Sequence, residues 1–173
     1  MIKLRFPVLL TLIAMFGGIF ISILFGANED FFKNRISAGL QTNAKIQSIQ
    51  DPQIKSEKIK VEHEKNWRYY QRYHFHATAI ATMTLSLLIF LGFIEASRKE
   101  TLIASYMLAV GGFLYPFVWL FAGIFGPEMG RDEAKEAFAI FGYMGGVYLL
   151  GLTYTIYLAV TKNWYGIKTE RRD

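Results

Sequence analysis

The three histidines of the chain, His63, His74 and His76, all fall between residues 63 and 76. Neutral imidazole is the commonest protein metal ligand and an axial ligand of haem, so this cluster is where chemistry is to be sought first. Spacing limits what it can do. On an unbroken helix His74 and His76 point about 200° apart and cannot hold one ion, whereas on an extended entry strand side chains two apart share a face and can. His63 and His74 share a helical face but lie about 16 Å apart along it. Further donors come later in the chain, at Glu128, Met129 and Asp132. With His74 and His76 the carboxylates suit zinc or another divalent ion, and imidazole with Met129 suits copper or a haem axial pair. The candidate metal site is therefore His74, His76, Glu128, Met129 and Asp132, with a transition metal or haem as the cofactor class. Against it stands the plainer reading of both imidazoles as interfacial residues bonded to backbone, tyrosines or headgroups, with solvated loop carboxylates.

Other chemistries find no footing. His63-Glu64 begins like a zinc-protease H-E-x-x-H, but Trp67 stands where the second ligand is needed. Phosphate-loop and nucleophile-elbow patterns are missing, and bis-histidine haem between helices would need a second histidine-bearing apolar segment. The sequence contains no Cys, which removes disulfides, thiolate zinc sites and iron–sulfur clusters. No motif fixes a reaction.

The elements that must position these residues are set by charge segregation. Of 173 residues, 53% are hydrophobic, and the windows 6–27, 73–94, 101–127 and 137–161 contain no Asp, Glu, Lys or Arg. About 20 apolar residues at about 1.5 Å each cross a hydrocarbon layer of about 30 Å, and each window is long enough. The fold class expected is all-α: a polytopic integral membrane protein, a four-transmembrane-helix bundle with a helical extramembrane loop between helices 1 and 2. The expected order is a first span at 6–27 and an outer helical loop at 28–73. A second span at 74–96 and a third at 101–125 follow. An outer acidic loop at 126–136, a fourth span at 137–161 and a basic tail at 162–173 complete the single domain. The basic start before the first window imitates a signal peptide, but its apolar run is longer than a signal core, so it reads as a retained anchor.

Within this order, Asp51-Pro52 reads as a helix start, and the helix it opens can run on without interruption into the second span. Pro116, after Gly111-Gly112, predicts a kink in the third span, and Gly126-Pro127 predicts its end. Lys3, Arg5, Arg98, Lys99, Lys162, Lys168, Arg171 and Arg172 flank the windows, so the net charge of +5 points to lipid headgroups rather than nucleic acid. Their bias toward short flanks predicts both termini in the cytoplasm.

Lipid tails are as apolar as Leu, so close backbone approach must contribute much of the helix association. Gly18, Ser22 and Gly26 in the first span and Gly142 and Gly146 in the fourth mark the expected packing seams, within the chain or against another protein. His74, Thr78, Thr82 and Ser86 form a polar ridge on the second span, read first as hydroxyls bonded to their own i−4 carbonyls. A transporter would rest on this ridge and the Pro116 kink alone.

Two functional readings follow. The first is a small accessory or assembly protein without its own catalytic centre, packed in the bilayer against larger membrane proteins or a second copy of itself. The alternative is a metal- or haem-binding redox-associated membrane protein using His74 and His76.

Overall fold

The computed structural model describes residues 2–165, with side chains from Leu4 onward. Lys168, Arg171 and Arg172 of the expected basic tail lie outside the described residues. Among the described residues the chain is all-helical, apart from an isolated antiparallel bridge between Ile94 and Trp164. The helices are α1 (Ile2–Ala27), α2 (Glu29–Thr42), α3 (Ala44–Gln47), α4 (Pro52–Leu91), α5 (Arg98–Leu114), α6 (Phe117–Met129), α7 (Arg131–Ala137) and α8 (Ala139–Thr161). Among the described residues four stretches are long and apolar enough to cross a membrane: α1 from Leu4, α4, α5 with α6, and α8.

Local chemistry sets the helix starts. The Asn28 side chain accepts from the Phe31 N–H and the Asn43 side chain from the Ile46 N–H, each satisfying an orphan donor of the first turn. Asp51 accepts from the Gln53 and Ile54 N–H groups, and Pro52 occupies the first turn, where a missing N–H costs nothing. From there α4 runs 40 residues without a break. At its far end Ser97 and Glu100 form a reciprocal capping box that starts α5.

Pro116 divides the third apolar stretch. The Tyr115 N–H closes α5 on the Gly111 carbonyl at 3.0 Å, and the Trp119 N–H opens α6 on the Pro116 carbonyl at 3.0 Å. The expected stop at Gly126-Pro127 is not where the helix ends, because α6 continues through Pro127 to Met129. Asn43 explains this: its Nδ2 donates to the Pro127 and Glu128 carbonyls, both at 3.0 Å, satisfying acceptors that the last turn leaves open. The stretch expected as an acidic loop contains α7, which begins after Gly130, a residue at φ +103°.

Two apolar cores hold the helices. One joins Ile21 of α1, Phe32, Ile36 and Leu40 of α2, Ile46 of α3 and Tyr70, Tyr73 and Ala77 of α4. Ile36 and Leu40 are fully buried there, contributing about 1.5–3 kcal/mol each. Helices α2 and α3 are thus packed onto the long helices rather than solvated. The other core joins Leu91 and Ile94 to Ala104 and Leu108 of α5 and Tyr148 and Leu158 of α8. At the same end Lys162 pairs with Glu100 at 2.8 Å, tying the end of α8 to the start of α5.

Glycines mark the tightest crossings, though only some are those expected. A methyl group on Gly18 would lie 2.9 Å from the Thr78 nitrogen, so α1 and α4 meet there. On α5, a methyl on Gly111 would lie 2.6 Å from the Tyr148 nitrogen, and on α8 one on Gly151 would lie 3.0 Å from the Leu108 nitrogen. By contrast, among the described residues nothing lies within 4 Å of such a methyl on Gly26 or Gly146, and on Gly142 it would only reach Val118 at 3.9 Å. The Ser22 hydroxyl bonds the Ile19 carbonyl of its own helix. Among the described residues, Gly18 alone of these five expected seam residues is closely covered. The inward face of α8 instead carries Gly145, Tyr148, Gly151, Thr155 and Leu158, and the G-x-x-x-G pair faces away from it.

Candidate functional site

The polar side chains that the fold brings together lie on one face of α4. Glu62, Asn66, Tyr69, Arg72 and His76 recur at three- and four-residue spacing, so on a helix they line up as a ladder. It faces α6 and α7.

At the top of the ladder Arg131 of α7 donates through Nε to a Glu62 carboxylate oxygen at 2.5 Å and through Nη2 to the other at 3.4 Å. Lys58 adds a contact at 3.2 Å. Glu62 is only 8% exposed, and lies well outside the charge-free part of α4. Burial works to raise its carboxyl, but the bonds from Arg131 and Lys58 outweigh that and hold it below the usual carboxylate range. Lys45 of α3 pairs with Glu133 of α7 beside it. A cleft of about 210 Å³ opens there, lined by Asn43, Lys45, Lys58, Glu62, Arg131 and Glu133 among others. Its acidic and basic side chains are largely spent on one another.

One turn below, Asn66 is wholly buried and donates to the Glu62 carbonyl at 2.8 Å. A methyl on Gly126 would lie 2.6 Å from its Oδ1, so the amide fits only because that position is glycine. Tyr69 lies against Trp119 with ring centroids 5.6 Å apart and the rings tilted, and Arg131 Nη1 reaches its hydroxyl at 3.5 Å. Arg72 places its guanidinium 4.8 Å from the centre of the Trp119 ring and 5.7 Å from that of Tyr69. His76 packs on Trp119 and Tyr115, at centroid distances of 5.8 and 5.5 Å.

The candidate metal residues are not assembled by this arrangement. His74 Nδ1 bonds the Gly18 carbonyl of α1 at 2.8 Å, and His76 Nδ1 bonds the Arg72 carbonyl at 2.8 Å while its ring lies against α6. The reason is the continuous helix: two residues apart on α4, the imidazoles face different neighbours. His63 bonds the Lys33 carbonyl of α2. Asp132 pairs with Lys135 at 2.8 Å, the Glu128 carbonyl accepts from Asn43, and Met129 is exposed. Among the described residues no group of three His, Asp or Glu is placed to hold a metal ion. Because a carbonyl only accepts, each of these bonds puts the ring proton on the bonded nitrogen, Nδ1 in His74 and His76.

The polar ridge of α4 is likewise spent internally: Thr78, Thr82 and Ser86 each donate to the carbonyl four residues back, at 2.8 to 3.0 Å. Deeper in, Thr84 and Tyr148 approach the same glycine, Gly112, and both hydroxyls are buried.

Sequence reasoning reached the histidines and missed the Glu62–Arg131 pair, Asn66 and the Arg72–Trp119 contact. The available signal was the ladder spacing itself, polar residues at 62, 66, 69, 72 and 76, read across the expected boundary between the outer loop and the second span. Comparison of the chain with models of known protein families, with curated proteins and with solved structures returns no match.

Proposed function

We propose that the chain is a multi-pass membrane protein whose four apolar stretches form a transmembrane bundle, with both termini in the cytoplasm. In this reading it serves as a non-catalytic accessory or assembly protein. The observation that carries this is where the apolar surface lies. Phe16 is 67% exposed, Tyr143 70% and Val160 79%, and they share the outward faces of α1 and α8 with Leu9, Ile23, Ile140, Leu149 and Leu150. Charged side chains are confined to the ends. An outward surface so continuously apolar is stable against lipid and not against water. The uncovered Gly142 and Gly146 face of α8 lets another helix, from a second copy or a larger membrane protein, approach closely there. The ion pairs at the top of α4 support a fixed extramembrane cap of α2, α3 and α7, which presents one surface rather than a mobile loop.

The chain has no Cys, so single cysteines report cleanly. The protein is expected to stay in carbonate-washed membranes. Gln50→Cys is expected to be labelled by an impermeant maleimide from the non-cytoplasmic side and Lys99→Cys only after permeabilisation. Gly146→Cys, but not Gly145→Cys, is expected to cross-link to a neighbouring protein or copy in the membrane. Release by carbonate defeats the membrane reading, and absence of any cross-link at Gly146 defeats the assembly reading.

A further inference from the structure

The two arginines on the ladder are used differently. Arg131 spends its donors on Glu62 and Tyr69. Arg72 is exposed, makes no side-chain hydrogen bond among the described residues, and has no carboxylate within 4 Å among them. It is nevertheless held in place. Trp119 lies under its guanidinium at 4.8 Å with Tyr69 at 5.7 Å, and His76, bonded to the Arg72 carbonyl, braces Trp119 from the next turn. A guanidinium held over aromatic rings is attracted to them without spending its N–H donors on a hydrogen-bond acceptor, and those donors match phosphate in a bidentate pair.

Depth then selects the ligand. Arg72 immediately precedes the charge-free window 73–94. From Arg72 to the end of α4 at Leu91 the helix rises about 28 Å, close to the hydrocarbon thickness of about 30 Å. With that end at one boundary, Arg72 stands at the other, where lipid phosphates lie.

We propose that Arg72, steadied by Trp119, Tyr69 and His76, binds the phosphate of a membrane lipid headgroup on the cap side of the bilayer. This rests on the membrane placement proposed above. The guanidinium supplies the donors, Trp119 and Tyr69 hold its position, and the lipid chains run down beside α4 and α6.

The test uses the full chain in mild detergent, followed by native mass spectrometry during titration with phosphatidylglycerol. Diacylglycerol serves as the phosphate-free control and inorganic phosphate as the soluble competitor. The wild type is expected to retain phosphatidylglycerol over diacylglycerol, with retention falling at least about tenfold in Arg72→Gln and less in Arg72→Lys, which keeps the charge but not the planar fork. Equal retention by wild type and a membrane-embedded Arg72→Gln protein would overturn this inference while leaving the membrane reading intact. Displacement of the lipid by excess inorganic phosphate would overturn the lipid assignment in favour of a soluble anion. Loss of the wild type from carbonate-washed membranes defeats the placement itself, and is read before any lipid is added.

Discussion

Arg131 reaches back 69 residues to hold the Glu62 carboxylate at 2.5 Å, joining the short helix after the third apolar stretch to the N-terminal half of α4. With Glu62 nearly buried, removing either partner leaves the other uncompensated. Glu62→Gln and Arg131→Gln are each expected to cost about 2 kcal/mol. The double variant should cost clearly less than their sum, as measured by a double-mutant cycle on denaturant unfolding in micelles. Additive losses would show that the two residues do not act as a pair.

The same pair sets a pH response. The folded Glu62 carboxyl lies below its unfolded value of about 4.3, so its stabilisation is fully present above that pH and is lost as pH falls through the folded value. Unfolding midpoints of the wild type should therefore drop through this acidic window. Glu62→Gln should start lower and show a shallower drop, and equal slopes for the two proteins would contradict the assignment.

Gly111 and Gly146 should respond in opposite directions to the same substitution. A methyl on Gly111 meets the backbone of α8, so Gly111→Ala is expected to lose about 1–3 kcal/mol through overpacking. Gly146→Ala meets nothing among the described residues and should gain up to about 1 kcal/mol from helix propensity. Thermal unfolding followed by tryptophan fluorescence distinguishes them, and similar effects at both sites would mean that α8 is rotated from the arrangement described.

His74 and His76 face different helices, so neither variant is expected to alter metal content or visible absorption of the purified protein. His74→Ala should still cost about 1 kcal/mol, because the Gly18 carbonyl loses its donor. A Soret band, or stoichiometric copper, iron or zinc, that disappears in either His74→Ala or His76→Ala would refute their separation and restore the metal reading.

The apolar stretches were legible because absence of charge over twenty or more residues is a one-dimensional property. So was the start of α4, since Asp51-Pro52 acts on the turn that follows it. The end of α6 was not, because the group that caps it, Asn43, lies 84 residues from Pro127. Long-range pairing hid Glu62 and Arg131 for the same reason: each looks in sequence like any other charged residue outside the apolar windows. Gly142 and Gly146 show a different limit. Four-residue spacing establishes that two glycines share a face of α8, but the facing direction depends on Tyr148 and Leu158, which point the other way into α5. The histidine cluster was real as a stretch of sequence and dispersed in space, since a helix turns adjacent positions toward different neighbours.

The 40 residues of α4 make a rod about 60 Å long, of which roughly half stands beyond the charge-free stretch. Because no proline or glycine interrupts it, leaning the lower half by about 10° sweeps Pro52 sideways by about 10 Å relative to Leu91. With α2, α3 and α7 fastened to the upper half, that lever converts a small change in inclination into a lateral excursion of the whole cap.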